Sequence, residues 1–239
     1  MDRRTLLASL LALTAAAPVL ARETASGPGY GRVAASADGI GKTYMGREIA
    51  SVMGWQAAGW LERPEREKEE GVERMVASLR LVAGERVADV GAGTGYVARK
   101  LARAVGPTGR VLAVDVQPQM IGLLRELALK ERLSQIEPVL GTPTDTTLAP
   151  ASVDVAILVD VYHELEHPHE LLSSVTRAVK PGGRVVFVEY KAGDPLVPIK
   201  TLHTMTVAQV RREASVHGLV FERADSSLPW QHVVEFRKR

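Results

Sequence analysis

One stretch, Val87-Ala88-Asp89-Val90-Gly91-Ala92-Gly93-Thr94-Gly95-Tyr96, sets three alternating glycines behind a carboxylate. Glycines spaced this way let the backbone turn sharply and approach a ligand closely, and a helix starting there adds a favourable dipole. Asp115 closes the next apolar run, 20 residues after Gly95, and a carboxylate there can accept two hydrogen bonds from a ribose diol. Two further apolar runs end in groups able to move protons. Asp160, Tyr162, His163 and Glu164 follow one; Glu189, Tyr190 and Lys191 follow the other. The pattern points to a nucleoside pocket with acid–base groups at its rim.

Two look-alikes fail on context. Asp38-Gly39-Ile40-Gly41-Lys42-Thr43 ends like a phosphate-binding P-loop, but Ser36 stands where the leading glycine belongs and no buried strand feeds it. His163-Glu164-Leu165-Glu166-His167 spells a zinc-protease string, which works only when both histidines lie one turn apart in a helix. Pro168 disfavours helical geometry at His167 and more naturally opens the next helix.

These residues must be positioned by the elements around them. Strands are expected at Arg86–Val90, Arg110–Val116, Ile136–Leu140, Val153–Val161, Arg184–Glu189, Leu219–Arg223 and His232–Phe236. Helices are expected at Pro64–Leu81, Tyr96–Val105, Pro118–Leu133, Pro168–Val179 and Val207–His217. Short apolar strands alternating with helices predict an α/β, Rossmann-like, mostly parallel sheet with helices on both faces. The charge run Glu65–Glu70 reads as a solvated face. Residues 22–42, small and rich in Gly, Ala and Ser, read as a tether, and 43–63 as a helical cap, leaving 64–239 as the domain proper.

The chain has 239 residues, 46% of them apolar, enough for one well-buried domain. Its net charge of +2 comes from 30 basic and 28 acidic residues spread along the chain, without the basic stripe of a nucleic-acid binder. The absence of cysteine excludes disulfides, thiolate metal sites and thiol nucleophiles; no metal is expected. Residues 1–21 resemble an export signal, with Arg3-Arg4 ahead of an apolar run too short for a membrane span and a small-residue end at Val19-Leu20-Ala21. The arginine pair suits a twin-arginine signal, so a periplasmic location is expected.

Together, Asp89-Val90-Gly91-Ala92-Gly93-Thr94-Gly95, Asp115, Val159-Asp160-Val161-Tyr162-His163-Glu164 and Lys180-Pro181-Gly182-Gly183-Arg184 resemble a class I S-adenosylmethionine-dependent methyltransferase. Tyr96 stands where a dinucleotide dehydrogenase wants glycine. The resemblance implies a seven-stranded sheet whose last strand is antiparallel, and S-adenosyl-L-methionine as cofactor. It implies that Asp89, Gly91, Gly93 and Gly95 line the methionine part, with Tyr96 a further cofactor-binding residue. Asp115 would take the ribose, with Val116, Gln117, Met120 and Thr142 around the adenine and Asp160 facing the methyl group.

Methyl transfer is an in-line displacement, so placement of the acceptor matters most, and a base is needed only where the acceptor must lose a proton. His163 is the candidate base, with Asp160 or Glu189 orienting it or the acceptor, and His203 a second candidate. Two segments are expected to close over a small-molecule acceptor. Tyr44–Trp60 offers Tyr44 and Trp60, and Asp194–Met205 offers Lys200 and His203 as a lid; Tyr162 and Tyr190 complete the expected acceptor wall. The alternative is an exported S-adenosyl-nucleoside binding protein that transfers nothing.

Overall fold

The computed structural model describes residues 29–239; the expected export signal and residues 22–28 of the expected tether lie outside them. In chain order the elements are β1 (Tyr30–Arg32), β2 (Gly39–Tyr44), β3 (Arg47–Ala50), α1 (Ala58–Leu61), α2 (Arg66–Glu70), α3 (Val72–Ser78), β4 (Arg86–Val90) and α4 (Ala98–Val105). They continue with β5 (Arg110–Asp115), α5 (Pro118–Lys130), β6 (Ile136–Leu140), β7 (Val153–Val159), α6 (Pro168–Ala178), β8 (Val179–Tyr190), α7 (Val207–Ser215), β9 (Leu219–Asp225) and β10 (Gln231–Lys238).

Seven strands form one sheet in the order β6-β5-β4-β7-β8-β10-β9. Pairing is parallel from β6 to β8, and β10 runs antiparallel to both β8 and β9. The expected mostly parallel sheet with an antiparallel last strand is therefore the fold. Strand side chains alternate between faces, and this sequence fills both. Val87, Val111, Ala113, Val155, Ile157 and Val186 pack against α3, α4 and α5 through Met75, Leu79, Leu101, Ile121 and Leu124. Ala88, Leu112, Ala156, Leu158, Phe187 and Phe236 pack against α6 and α7 through Leu172, Val175, Val210 and Ala214. Chain order reverses between β4 and β7, and open sheets of this kind bind ligands at the carboxyl ends of the strands beside such a reversal.

Departures from expectation have local causes. The helix expected over Pro64–Leu81 breaks at Gly71, whose left-handed backbone (φ 66°) ends α2 before α3 begins. The charge run is not wholly solvated: Arg66 and Glu70 are buried and paired at 2.8 Å. β8 begins at Val179, upstream of the glycine turn, because Val179 pairs with Val153 across an irregular register. Much of the expected tether and cap is a three-stranded antiparallel meander, β1-β2-β3, with helix confined to a 3-10 turn at Trp55–Ala57 and α1. Its second hairpin turns on Met45-Gly46, both at positive φ (46° and 94°), the geometry a two-residue hairpin demands. The meander has a small core of Tyr30, Tyr44 and Ile49. It is tied to α6 by the Tyr30 hydroxyl donating to Glu170 at 2.5 Å and to α7 by Arg47 on Glu213 at 2.7 Å.

Candidate functional site

A cavity of about 670 Å³ opens at the carboxyl ends of β4, β5, β7 and β8, roofed by residues 51–61 and 198–203. The glycine loop leaving β4 forms its floor. Gly91 and Gly93 sit at φ 76° and 56°, and a Cβ on Gly91 would meet Val161 Cγ2 at 2.5 Å. The loop is pinned to the end of β5, since Gly93 N–H donates to Asp115 Oδ2 and Gln117 N–H to Asp115 Oδ1, each at 2.9 Å. Val116, Gln117, Met120 and Thr142 continue the wall beyond Asp115. Gln117 also clasps the roof: its amide donates to Met53 O at 3.0 Å and accepts Trp55 N–H at 2.8 Å.

Two carboxylates on the inner wall are incompletely satisfied. Asp89 Oδ2 and Asp160 Oδ1 are buried without a hydrogen-bond partner among the described residues, although buried polar atoms are nearly always paired. Asp160 sits at φ 51° where β7 ends and holds Gln231 Nε2 on its other oxygen at 2.6 Å. Burial pushes the Asp89 carboxyl up to about 7. Burial, together with the Glu70 and Glu189 carboxylates, pushes Asp160 well above the ordinary range. Such groups favour a bound cation.

At the opposite end the 3-10 turn Tyr162–Glu164 presents His163, and the turn Thr201–His203 presents His203. Glu189, at the end of β8, fixes the first of these. Its Oε2 lies 2.6 Å from His163 Nδ1 and its Oε1 accepts Tyr162 N–H at 3.0 Å. His163 Nε2 then faces His203 Nδ1 at 3.2 Å. Arg47 anchors the turn from behind, donating to His163 O at 2.9 Å and Tyr162 O at 3.3 Å. Burial lifts the Glu189 carboxyl to about 8 and Glu164 to about 7, and it lowers both His163 and His203 to about 4. A histidine held at Nδ1 with Nε2 toward a cavity can orient a substrate, take its proton or ligate a cation.

Of the expected residues, Asp89, Gly91, Gly93, Asp115, Val116, Met120, Thr142, Asp160, Trp60, Tyr190, Lys200, His163 and His203 share this cavity. Glu189 stands behind His163. Four others do not line it either. Gly95 is packed under Leu124 and Leu127, and the Tyr96 ring is flanked by Arg66, Arg99 and Lys100. Tyr44 is core of the meander, its ring 5.1 Å from Tyr30. Tyr162 is buried edge-on to Phe187 at 4.9 Å. The zinc-protease string is no helix, since His167 caps α6 while His163 is buried on Glu189. The P-loop look-alike is β2.

Sequence reasoning missed Arg66 and Asp38, which share the wall with Glu164 and Met53. Arg66 and Glu70 carried an i,i+4 spacing that an exposed charge run also shows, so only tertiary burial separates the two cases. Lys200 Nζ meets Asp38 Oδ1 at 2.6 Å, joining the expected lid to the meander.

A family model described as a methyltransferase domain matches residues 88–187. The ubiquinone/menaquinone biosynthesis C-methyltransferase UbiE of Ectopseudomonas mendocina is 32% identical over 116 residues, covering 48% of this chain and 45% of the relative. The arsenite methyltransferase of Halobacterium salinarum is 34% identical over 105 residues, 44% of this chain and 27% of that protein. The matched region thus spans less than half the length of these relatives. Among solved structures, a SAM dependent methyltransferase from Aquifex aeolicus superposes with a TM-score of 0.75 at 22% identity, covering 79% of this chain and all of that one.

Proposed function

The chain belongs to the class I S-adenosylmethionine-dependent methyltransferases, and from that premise we propose that it transfers the cofactor's methyl group to a small-molecule acceptor. The observation that carries this reading is the unpaired carboxylate wall. Asp89 Oδ2 and Asp160 Oδ1 are buried acceptors without donors among the described residues, in the same cavity as Asp115. S-adenosylmethionine brings an ammonium, a sulfonium and a ribose diol, which suit an acidic wall with Asp115 at its ribose end. When bound it supplies an electrophilic methyl carbon for in-line displacement.

The residues divide by task. Gly91 and Gly93 hold the backbone close to the ligand, Asp115 takes the ribose, and Val116, Gln117, Met120 and Thr142 enclose the adenine end. Asp89 and Asp160 face the methionine end. The acceptor enters between Trp60, Tyr190, Lys200 and His203, and His163, steadied by Glu189, orients and activates it. Closure of the roof keeps water from the reacting centre.

The test is calorimetric titration of the full chain with S-adenosylmethionine, S-adenosylhomocysteine and NAD. Micromolar binding of the first two only, weakened at least tenfold in Asp115→Ala, is the expected result; no binding of either overturns the reading. Binding without transfer to any acceptor in a labelled-methyl screen favours the nucleoside-binding alternative. We further propose that residues 1–21 export the protein by the twin-arginine route. Replacing Arg3 and Arg4 together with Lys should then retain the protein in the cytoplasmic fraction, as fractionation and immunoblotting will report.

A further inference from the structure

Three side chains from two separate turns converge at the acceptor end of the cavity. His163 and Glu164 come from the turn after β7, and His203 comes from the turn after β8. His163 Nε2 lies 3.2 Å from His203 Nδ1, and His203 Nδ1 lies 3.9 Å from Glu164 Oε2. One ligand atom from each lies within 4.8 Å of the other two. Bonds of about 2.0–2.2 Å to imidazole nitrogen and carboxylate oxygen set such atoms roughly 3.0–3.5 Å apart around a cation. The histidine pair already has that spacing, and the Glu164 carboxylate, 3.9 Å from His203, must draw in to complete it.

The surroundings are those of a built site rather than a chance meeting. His163 is fully enclosed, and its remote nitrogen is engaged by the buried Glu189 carboxylate at 2.6 Å. That is the carboxylate–histidine arrangement that orients metal-bound imidazoles and raises their basicity. Glu164 is oriented in turn by Met53 N–H at 3.0 Å. Arg47 holds the backbone carbonyls of Tyr162 and His163, so the turn cannot swing away.

We propose that His163, His203 and Glu164 bind one divalent transition-metal ion, facing the acceptor. Two imidazoles and one carboxylate suit zinc, iron, cobalt or manganese rather than magnesium or calcium, which take oxygen ligands, and three protein ligands leave positions open toward the cavity. The His163–Glu164–His167 string contributes only its first two residues; the second histidine comes from 40 residues downstream in the chain. On the methyl-transfer reading, this names the acceptor class: a hydroxyl or thiol whose oxygen or sulfur ligates the ion. The ion lowers the acceptor's pKa and the proton passes to water. The freed electron pair bonds to the methyl carbon as the carbon–sulfur bond of the sulfonium breaks, its pair staying on sulfur. His163 then serves as ligand rather than base.

The test uses the full chain without a polyhistidine tag, stripped with chelator and titrated with Co2+ and Zn2+ by calorimetry and by cobalt d–d absorption. One equivalent should bind, producing a ligand-field spectrum. His203→Ala, at a half-buried position, should lose the spectrum and at least tenfold in affinity, and Glu189→Gln should weaken binding about 10–100-fold through His163. Thermal melts confirm that both variants fold. Absence of binding by the folded wild-type chain, or equal binding by His203→Ala, overturns the site. S-adenosylhomocysteine titrated in parallel separates the two readings: metal bound with the nucleoside refused supports the site and defeats methyl transfer, whereas nucleoside bound with metal refused defeats only the site.

Discussion

Asp89 shows how a single buried group links stability to binding. Its folded pKa of about 7, raised chiefly by burial, stands above the unfolded carboxylate value of about 3.9. A carboxyl raised in this way contributes stability that is complete below the unfolded value and is lost as pH rises through the folded one. Asp89→Asn should therefore raise the melting temperature of the unliganded protein at pH 8 and leave it nearly unchanged at pH 4, as differential scanning fluorimetry across pH will report. The same substitution should weaken S-adenosylhomocysteine binding. Gly91 gives a steric counterpart. Alanine there combines a positive φ, costing about 1–2 kcal/mol, with a Cβ 2.5 Å from Val161, and overpacking adds about 1–3 kcal/mol. Urea denaturation should show Gly91→Ala losing roughly 2–5 kcal/mol. Gly106→Ala, where a Cβ meets open space at φ 69°, should lose only the backbone part.

At the scale of elements, the meander is the part that steadies the histidine end of the cavity. β3 carries Arg47, which is paired with the fully buried Glu213 of α7 and donates to the turn that presents His163. Removing one partner of a buried pair strands the other charge, at a cost of about 3–5 kcal/mol. Arg47→Ala should approach that loss in urea. The double variant Arg47→Met with Glu213→Leu should recover much of the stability, because no charge is left unpaired. It should not recover full Co2+ affinity, since the carbonyls of Tyr162 and His163 lose their donor; calorimetry on the double variant distinguishes these outcomes. No local pattern announces this element. β1 and β2 are short and glycine-rich, their burial does not alternate cleanly, and the Met45-Gly46 turn lacks the Asn-Gly or Asp-Gly signature of a hairpin.

For the molecule as a whole, ligand binding and folding are coupled through the cavity, which joins the sheet to the meander and to the segment after β8. At a concentration of 100 times its dissociation constant, a ligand that binds only the folded chain stabilises it by about 2.7 kcal/mol. For a chain of this size that is roughly 5–10 °C in melting temperature, and S-adenosylhomocysteine should produce it in the wild type but not at the same concentration in Asp115→Ala. Sequence by itself determined the sheet, its alternating helices, the glycine loop and Asp115, because strand period, turn chemistry and a loop-to-strand spacing are local properties written within about 30 residues. It also marked His163, Glu189 and His203 as chemical groups. What only the tertiary structure decided was their company. Glu189 lies behind His163, His203 stands before it, Arg66 and Glu70 turn inward, and Tyr44 and Tyr162 become core. The contacts of Glu189, His203 and Arg47 with His163 join positions 26 to 116 residues apart, and burial and electrostatic pairing at that range are set by how the elements pack, which no local pattern records.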